Sequence, residues 1–209
     1  QVIYEHLSGK HTVGIYPLLA NDMCRFLAVD FDEAEWKSDS LAFVSSCREF
    51  GIPVGLEISR SGAGAHVWIF FSDPVSARDA RRLGAALVSH TCQRTRQLSL
   101  KSYDRFFPNQ DSLPAGGFGN LIALPLQKKP REKGGSVFVD DGFRPWPDQW
   151  AFLSAIEPFG AESLEAIINR VTNGRHPLDV SFVEDNEAEK PWKRAKQENM
   201  GLPGIVWVG

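Results

Sequence analysis

Two aspartates, Asp30 and Asp32, lie two residues apart in the otherwise apolar run Phe26-Leu27-Ala28-Val29-Asp30-Phe31-Asp32. In an extended strand, residues at that spacing project from one face. Two unpaired carboxylates on such a face repel each other, and burying them is costly unless a cation compensates. Hard oxygen donors so placed suit Mg²⁺ or Mn²⁺, which keep open positions for phosphate oxygens. Taken alone, the pair fits at least as well a strand end whose carboxylates cap loops or pair with arginines.

A second element is Arg60 followed by Ser61-Gly62-Ala63-Gly64-Ala65-His66. Small residues let backbone approach a ligand, and successive N–H groups form an anion-binding concavity. Arg60 adds a charge-assisted donor for phosphate, and His66 opens the next strand with a further donor. A plain hairpin turn followed by a hydrogen-bonded histidine explains the same residues. The third element, Tyr103-Asp104-Arg105-Phe106-Phe107-Pro108-Asn109-Gln110, offers another carboxylate, which also reads as a turn aspartate bonded to nearby backbone. In the fourth, Asn120-Leu121-Ile122-Ala123-Leu124-Pro125-Leu126-Gln127-Lys128-Lys129, an apolar strand delivers two lysines to its end. They suit triphosphate or template-backbone contacts, or simply a solvated basic loop. Together, in this order, the four supply metal ligands, phosphate binders and counter-charge, the parts of nucleotidyl transfer.

The elements that must position these residues follow from patterning. An extended segment over His11–Leu19 leads to a strand over Cys24–Phe31. Ser38-Asp39-Ser40 reads as a helix start, with Leu41–Phe50 at helical spacing and Gly51-Ile52-Pro53 as the stop. Val54–Ser59 and His66–Phe71 are predicted strands around the glycine turn, the second ended by Asp73-Pro74. Ser76 opens a helix to about Gln93. Ser102–Gly119, rich in proline and glycine, reads as a long loop, more often functional than idle. Strands over Asn120–Leu126 and Ser136–Val139 precede helices from Pro147-Asp148 to Ile156 and over Glu162–Val171. The hairpin between the second and third strands excludes a purely parallel sheet, so the class is α+β. The periodicity assigns residues 1–175 to one domain and 176–209 to a linker or tail, with an apolar end at Leu202–Val208.

The 209 residues, 43% hydrophobic and 23% charged, suit one globular domain with a short appendage. No apolar run is long enough for a membrane span, and the glutamine start without a leader reads as a processed or excised fragment. Cys24, Cys47 and Cys92 lie far apart without a C-x-x-C pair, which argues against a disulfide framework or zinc site and fits a reducing cytoplasm. A net charge of -3 is not that of a duplex-coating protein. Charge is nevertheless segregated. Cations gather at Arg78, Arg81 and Arg82, at Arg94, Arg96, Lys101 and Arg105, and at Lys128, Lys129, Arg131 and Lys133, with acids at Glu184, Asp185, Glu187 and Glu189. That distribution permits a basic groove on an acidic protein.

The sequence resembles the archaeo-eukaryotic primase superfamily, whose members read hDhD/E, small-x-His and hD, with h apolar. Val29-Asp30-Phe31-Asp32, Gly64-Ala65-His66 and Tyr103-Asp104 fill those slots. The strings HTVGIYPLL, RFLAVDFD, SRSGAGAHVWIFF, YDRFFPNQ, GGFGNLIALPLQ and DQWAFL look closest to the primase-polymerase domain of TOTE conflict systems, over about residues 10–160. The resemblance implies an RRM-like catalytic sheet plus a smaller α/β unit, with the active site between them. It implies catalytic, metal-binding Asp30, Asp32 and Asp104 holding two Mg²⁺ or Mn²⁺ ions. His66 would contact the phosphates of an incoming nucleoside triphosphate, Arg60, Ser61 and Gly64 would line the same pocket, and Asn109 and Lys128 would make further nucleotide contacts. The implied partners are a single-stranded DNA template, a primer, and a helicase on the same or a neighbouring chain, in a bacterial, phage or plasmid setting. In the second motif the family often places serine two before the histidine; here that position is Gly64, and Ser61 lies five before. The scattered cysteines cannot build the zinc insert many primases carry.

Two other functions share parts of this pattern. A D-x-D glycosyltransferase would need neither Asp104 nor a nucleic-acid groove, and would hydrolyse sugar nucleotides. A non-catalytic nucleic-acid-binding module would keep binding DNA after Asp30→Ala and Asp32→Ala. Phe106 and Phe118 are candidates for base stacking, though core packing is the commoner role for such residues.

Overall fold

The computed structural model describes residues 1–96 and 100–176. The expected tail, including Leu202–Val208, lies outside them from residue 177 onward.

A short helix α1 (Val2–Leu7) is followed by β1 (Gly14–Ile15), β2 (Met23–Phe31), α2 (Trp36–Glu49), β3 (Gly55–Ile58), β4 (Ala65–Ser76), α3 (Ala77–Thr95) and β5 (Tyr103–Phe107). Then come β6 (Ile122–Ala123), α4 (Lys128–Arg131), β7 (Val137–Phe138), α5 (Gln149–Ala155), a 3₁₀ turn (Ala161–Ser163) and α6 (Leu164–Thr172). Five strands form one antiparallel sheet in the order β5-β2-β4-β3-β7, and β1 pairs with β6 in a separate ribbon. The α+β class is therefore observed.

Alternation along the central strands sends two sets of side chains to opposite faces. Leu27, Val29 and Phe31 of β2, with Val67 and Ile69 of β4, pack under the helices against Phe43, Leu83, Leu87 and Ile168. Ala28 and Trp68 face the other way, where Phe107, Ile122, Leu126 and Phe138 close a second core with half-buried Ile15, Phe26 and Phe70. Strands covered on both faces read as continuous apolar runs, as RFLAVDF and HVWIFF do. Helix α3 starts from Ser76, whose hydroxyl accepts from Asp79 N and donates to the Asp79 carboxylate. In α6, Leu164, Ile167, Ile168 and Val171 form the buried stripe. No helix among the described residues is long and apolar enough to cross a membrane.

Three expectations need correction. Asp73-Pro74 does not end the third strand, because β4 runs on to Ser76. Its register against β2 shifts between Cys24 and Phe26, so Pro74 sits in an irregularity and its missing N–H costs no ladder bond. Ser102–Gly119 is not one loop, since Tyr103–Phe107 forms an edge strand beside β2. Asn120–Leu126 contributes only two strand residues, and these pair with β1 rather than joining the main sheet.

Candidate active site

Asp30, His66 and Glu57 form one row across β2, β4 and β3, because the registers pair Asp30 with His66 and His66 with Glu57. This row continues the face that carries Ala28 and Trp68, so the polar cluster is the open end of an apolar surface. Asp32 follows Asp30 on the same parity.

Asp104 reaches the cluster through a break in pairing. In β5, Arg105 pairs with Asp30 and Tyr103 with Phe31, which leaves Asp104 unmatched in a bulge. A regular ladder would send a residue between those two to the helix side; the bulge re-aims it. Ligand atoms of Asp30, Asp32 and Asp104 consequently lie within 4.8 Å of one another. Asp30 is buried, whereas Asp32 and Asp104 are exposed, so the group opens to solvent on one side. Burial, together with the charges of Asp30 and Asp104, raises the Asp32 carboxyl above the usual range.

The donors fit a divalent cation. Four carboxylates (Asp30, Asp32, Asp104 and Glu57) face two cations, His66 and Arg105, whose Nε donates to Asp104 Oδ2 at 2.6 Å. The excess of negative charge matches one doubly charged ion, and hard oxygens at this spacing are its natural ligands.

His66 is held from both sides. Its Nδ1 lies 3.1 Å from Glu57 Oε2 and its Nε2 3.4 Å from Asp30 Oδ1. Burial lowers the His66 pKa, but the hydrogen bonds and charges of Asp30 and Glu57 outweigh it and push it up to about 10. Glu57 Oε2 also accepts from Trp68 Nε1 at 2.7 Å, which fixes the carboxylate from the apolar side. Because the folded pKa exceeds the ordinary 6.5, the stability His66 contributes is full below about 6.5 and is lost as pH rises through about 10. In chelator, the urea midpoint is therefore expected to fall across that window, and Glu57→Gln to flatten the fall. A wild-type midpoint that stays level from neutral pH to about 10 would contradict this pairing.

The turn before His66 is shaped by Asp32. A Cβ built on Gly64 would collide with Asp32 Oδ1 and lie 2.6 Å from Phe31 O. Serine therefore has no room at this position, which accounts for the glycine in the second motif. Ser61 closes the turn instead, its Oγ accepting from Ala63 N and lying 2.9 Å from Ser59 Oγ. Arg60 reaches away to Thr12 Oγ1 at 3.3 Å.

Two further predicted site residues have contacts outside the aspartate cluster. Asn109 N donates to Asn120 Oδ1, and Lys128 packs on Gly9 with its Nζ 3.8 Å from Glu132. Two others were missed. Glu57 was hidden in a short strand reading, although a glutamate in GLEIS is a charge in an apolar context. Asp39 looked like part of a helix start, yet it is 3% exposed and accepts from both N and Oγ of Ser102. Ser102 O in turn accepts from Asp32 N at 2.7 Å, two residues before Asp104. Asp39 thus ties the segments carrying two of the three aspartates to α2. Asp39→Ala is expected to lower unfolding free energy by about 1–3 kcal/mol, by leaving the Ser102 donors unmatched. Urea denaturation measures this, and a loss under about 0.5 kcal/mol would contradict it.

The α+β sheet and the acidic cluster fit a primase-like domain. A model of the archaeo-eukaryotic primase domain of TOTE conflict systems matches residues 1–167, and the chain belongs to that family. No curated protein matches it.

Proposed function

We propose that the chain is a DNA primase-polymerase that adds nucleotides to a 3′-hydroxyl opposite a template. The observation that carries this reading is the convergence of Asp30, Asp32 and Asp104 within 4.8 Å beside a histidine set between Asp30 and Glu57. The path β2-α2-β3-β4-α3-β5, with order β5-β2-β4-β3, follows a β-α-β-β-α-β plan, which supports the RRM-like reading and a catalytic face on this sheet. The β1–β6 ribbon and its flanking segments are then the smaller unit, with the active site at the border of the two.

Asp30, Asp32 and Asp104 would hold Mg²⁺ or Mn²⁺, with a second ion beside a bound nucleotide. Bound there, such ions would supply activation of the attacking hydroxyl and charge neutralisation on the triphosphate. The 3′-hydroxyl gives up its proton to solvent water, its oxygen forms a bond to the α-phosphorus, the α–β phosphoanhydride bond breaks, and pyrophosphate leaves with its electron pair. Glu57 keeps His66 protonated and oriented, so that a cation stands beside the phosphates as charge shifts toward pyrophosphate. Gly64 leaves Asp32 its position, and the Ser61 turn presents backbone close to the same place. The TOTE assignment supports a setting in which a helicase domain acts on the same or a neighbouring chain.

The test offers labelled nucleotide and single-stranded template, with and without primer, in Mg²⁺ and in Mn²⁺. Incorporation in at least one condition, lost in Asp30→Ala, is expected. Folded protein inactive in all four would overturn the assignment.

A further inference from the structure

The β1–β6 ribbon joins two surface features that the catalytic cluster does not use. At one end, three segments distant in sequence bring cations together. Arg60 reaches Thr12, and a Cβ on Gly9 would lie 3.1 Å from Lys128 Cβ and 3.5 Å from Lys129 Cγ. Gly135 packs on the Arg60 turn, where its Cβ would be 3.2 Å from Arg60 O, and Ser136 N donates to Ile58 O. Lys10, Arg60, Lys128, Lys129, Arg131 and Lys133 therefore belong to one region. The acids there are Glu5, which pairs with Lys10 and His11, and Glu132, 3.8 Å from Lys128. Glu57 is buried under His66 and Trp68. Cations thus exceed surface carboxylates on a chain whose net charge is -3.

At the other end the ribbon exposes aromatic surface. Antiparallel pairing of Gly14 with Ala123 and Ile15 with Ile122 carries the chain on to Tyr16 and Leu121. Tyr16 and Phe118 have ring centroids 5.2 Å apart and are 46% and 67% exposed, so Phe118 is not a core residue. Phe106, by contrast, packs on the core under the helices. The six residue steps from Lys10 to Tyr16 span at most about 22 Å. Both ends touch the strands of the aspartates. The Arg60 turn runs on to Gly64 against Asp32, and Asn120 Nδ2 donates to Phe106 O in β5 at 3.1 Å.

We propose that this ribbon is the track for a single strand of nucleic acid, its phosphates on the Lys10, Arg60 and Lys129 end and its bases stacked on Tyr16 and Phe118. Cations alone would serve a free triphosphate, but the length of the track and the exposed rings suit a polymer with accessible base faces. A duplex hides those faces. The assignment rests on the nucleotidyl-transfer reading for its direction toward the aspartates, while binding itself needs no metal or catalysis.

The experiment uses full-length chain carrying Asp30→Asn and Asp32→Asn, in chelator, with a labelled single-stranded oligodeoxynucleotide of mixed sequence. Three sets of changes are added to it: Tyr16→Ala with Phe118→Ala, Lys129→Glu with Lys133→Glu, and the exposed control Arg25→Glu with Arg78→Glu. The aromatic pair is expected to weaken binding about 10-fold or more. The lysine pair should weaken it comparably and make the slope of log affinity against log salt shallower by about 1.4. The control should stay near the parent, and duplex should compete poorly. No binding by the parent overturns the track, as does equal loss in the control or an unaffected aromatic variant. Failure of nucleotide incorporation by wild type, with this binding pattern intact, would count against the transfer reading alone.

Discussion

Asp30→Asn is expected to lower metal-dependent nucleotide incorporation about 10³-fold or more while leaving the protein folded. Asp30 is the buried member of the cluster, lies across the sheet from His66, and approaches its Nε2 at 3.4 Å. The amide keeps the shape of the side chain but removes the charge that binds a divalent ion and opposes the imidazolium. Losing several kcal/mol of transition-state stabilisation at a metal centre corresponds to that factor. Steady-state incorporation measures it, with near-ultraviolet circular dichroism as the check on folding. Activity within about 10-fold of wild type would move the reaction away from this cluster.

Gly64→Ala is expected to be nearly as damaging although it adds one methyl group and changes no charge. The new Cβ would compete with Asp32 Oδ1 and the Phe31 carbonyl. The carbonyl is held in the sheet, so the carboxylate must move. Displacing a reacting group by about 1 Å costs on the order of 10²-fold in rate. Gly62→Ala is a poor control because its φ is +78°. Ala63→Gly suits better, being an exposed position of the same turn. Parental activity in Gly64→Ala, with Asp32 still required, would show that the carboxylate has another productive position.

Much of this site could be read in the sequence, for reasons of period and order. Asp30 and Asp32 were legible because strand parity puts residues two apart on one face, and His66 because a glycine turn precedes a strongly apolar strand. The share of Asp104 was legible only from its place in the motif order. Its geometry depends on a bulge, and a one-residue change in pairing reverses which face a side chain takes. Glu57 and Asp39 escaped because a lone acid in a short strand or near a helix start has common solvent-facing uses. Only tertiary neighbours, Trp68 and His66 for one and Ser102 for the other, show them to be buried. Helix α1 was not read at all, being six residues long with Val2, Ile3 and Tyr4 exposed. It is fixed instead by His6, fully buried, which accepts from Val13 N and lies 3.0 Å from Pro125 O. Pro74 misled because proline normally ends a strand, whereas here the strand irregularity accommodates it.

On the proposed reading, Asp30 of β2, Asp32 just beyond its end and Asp104 in the β5 bulge form a single metal-dependent transfer site. Asp104 tests it most directly, because without the bulge it would not belong. The measurement is incorporation of labelled nucleotide onto a primed single-stranded template in Mn²⁺, comparing wild type with Asp104→Asn at matched folded concentration. A fall of about 10³-fold or more is predicted, with template binding in chelator retained. Wild-type incorporation by Asp104→Asn would contradict the account.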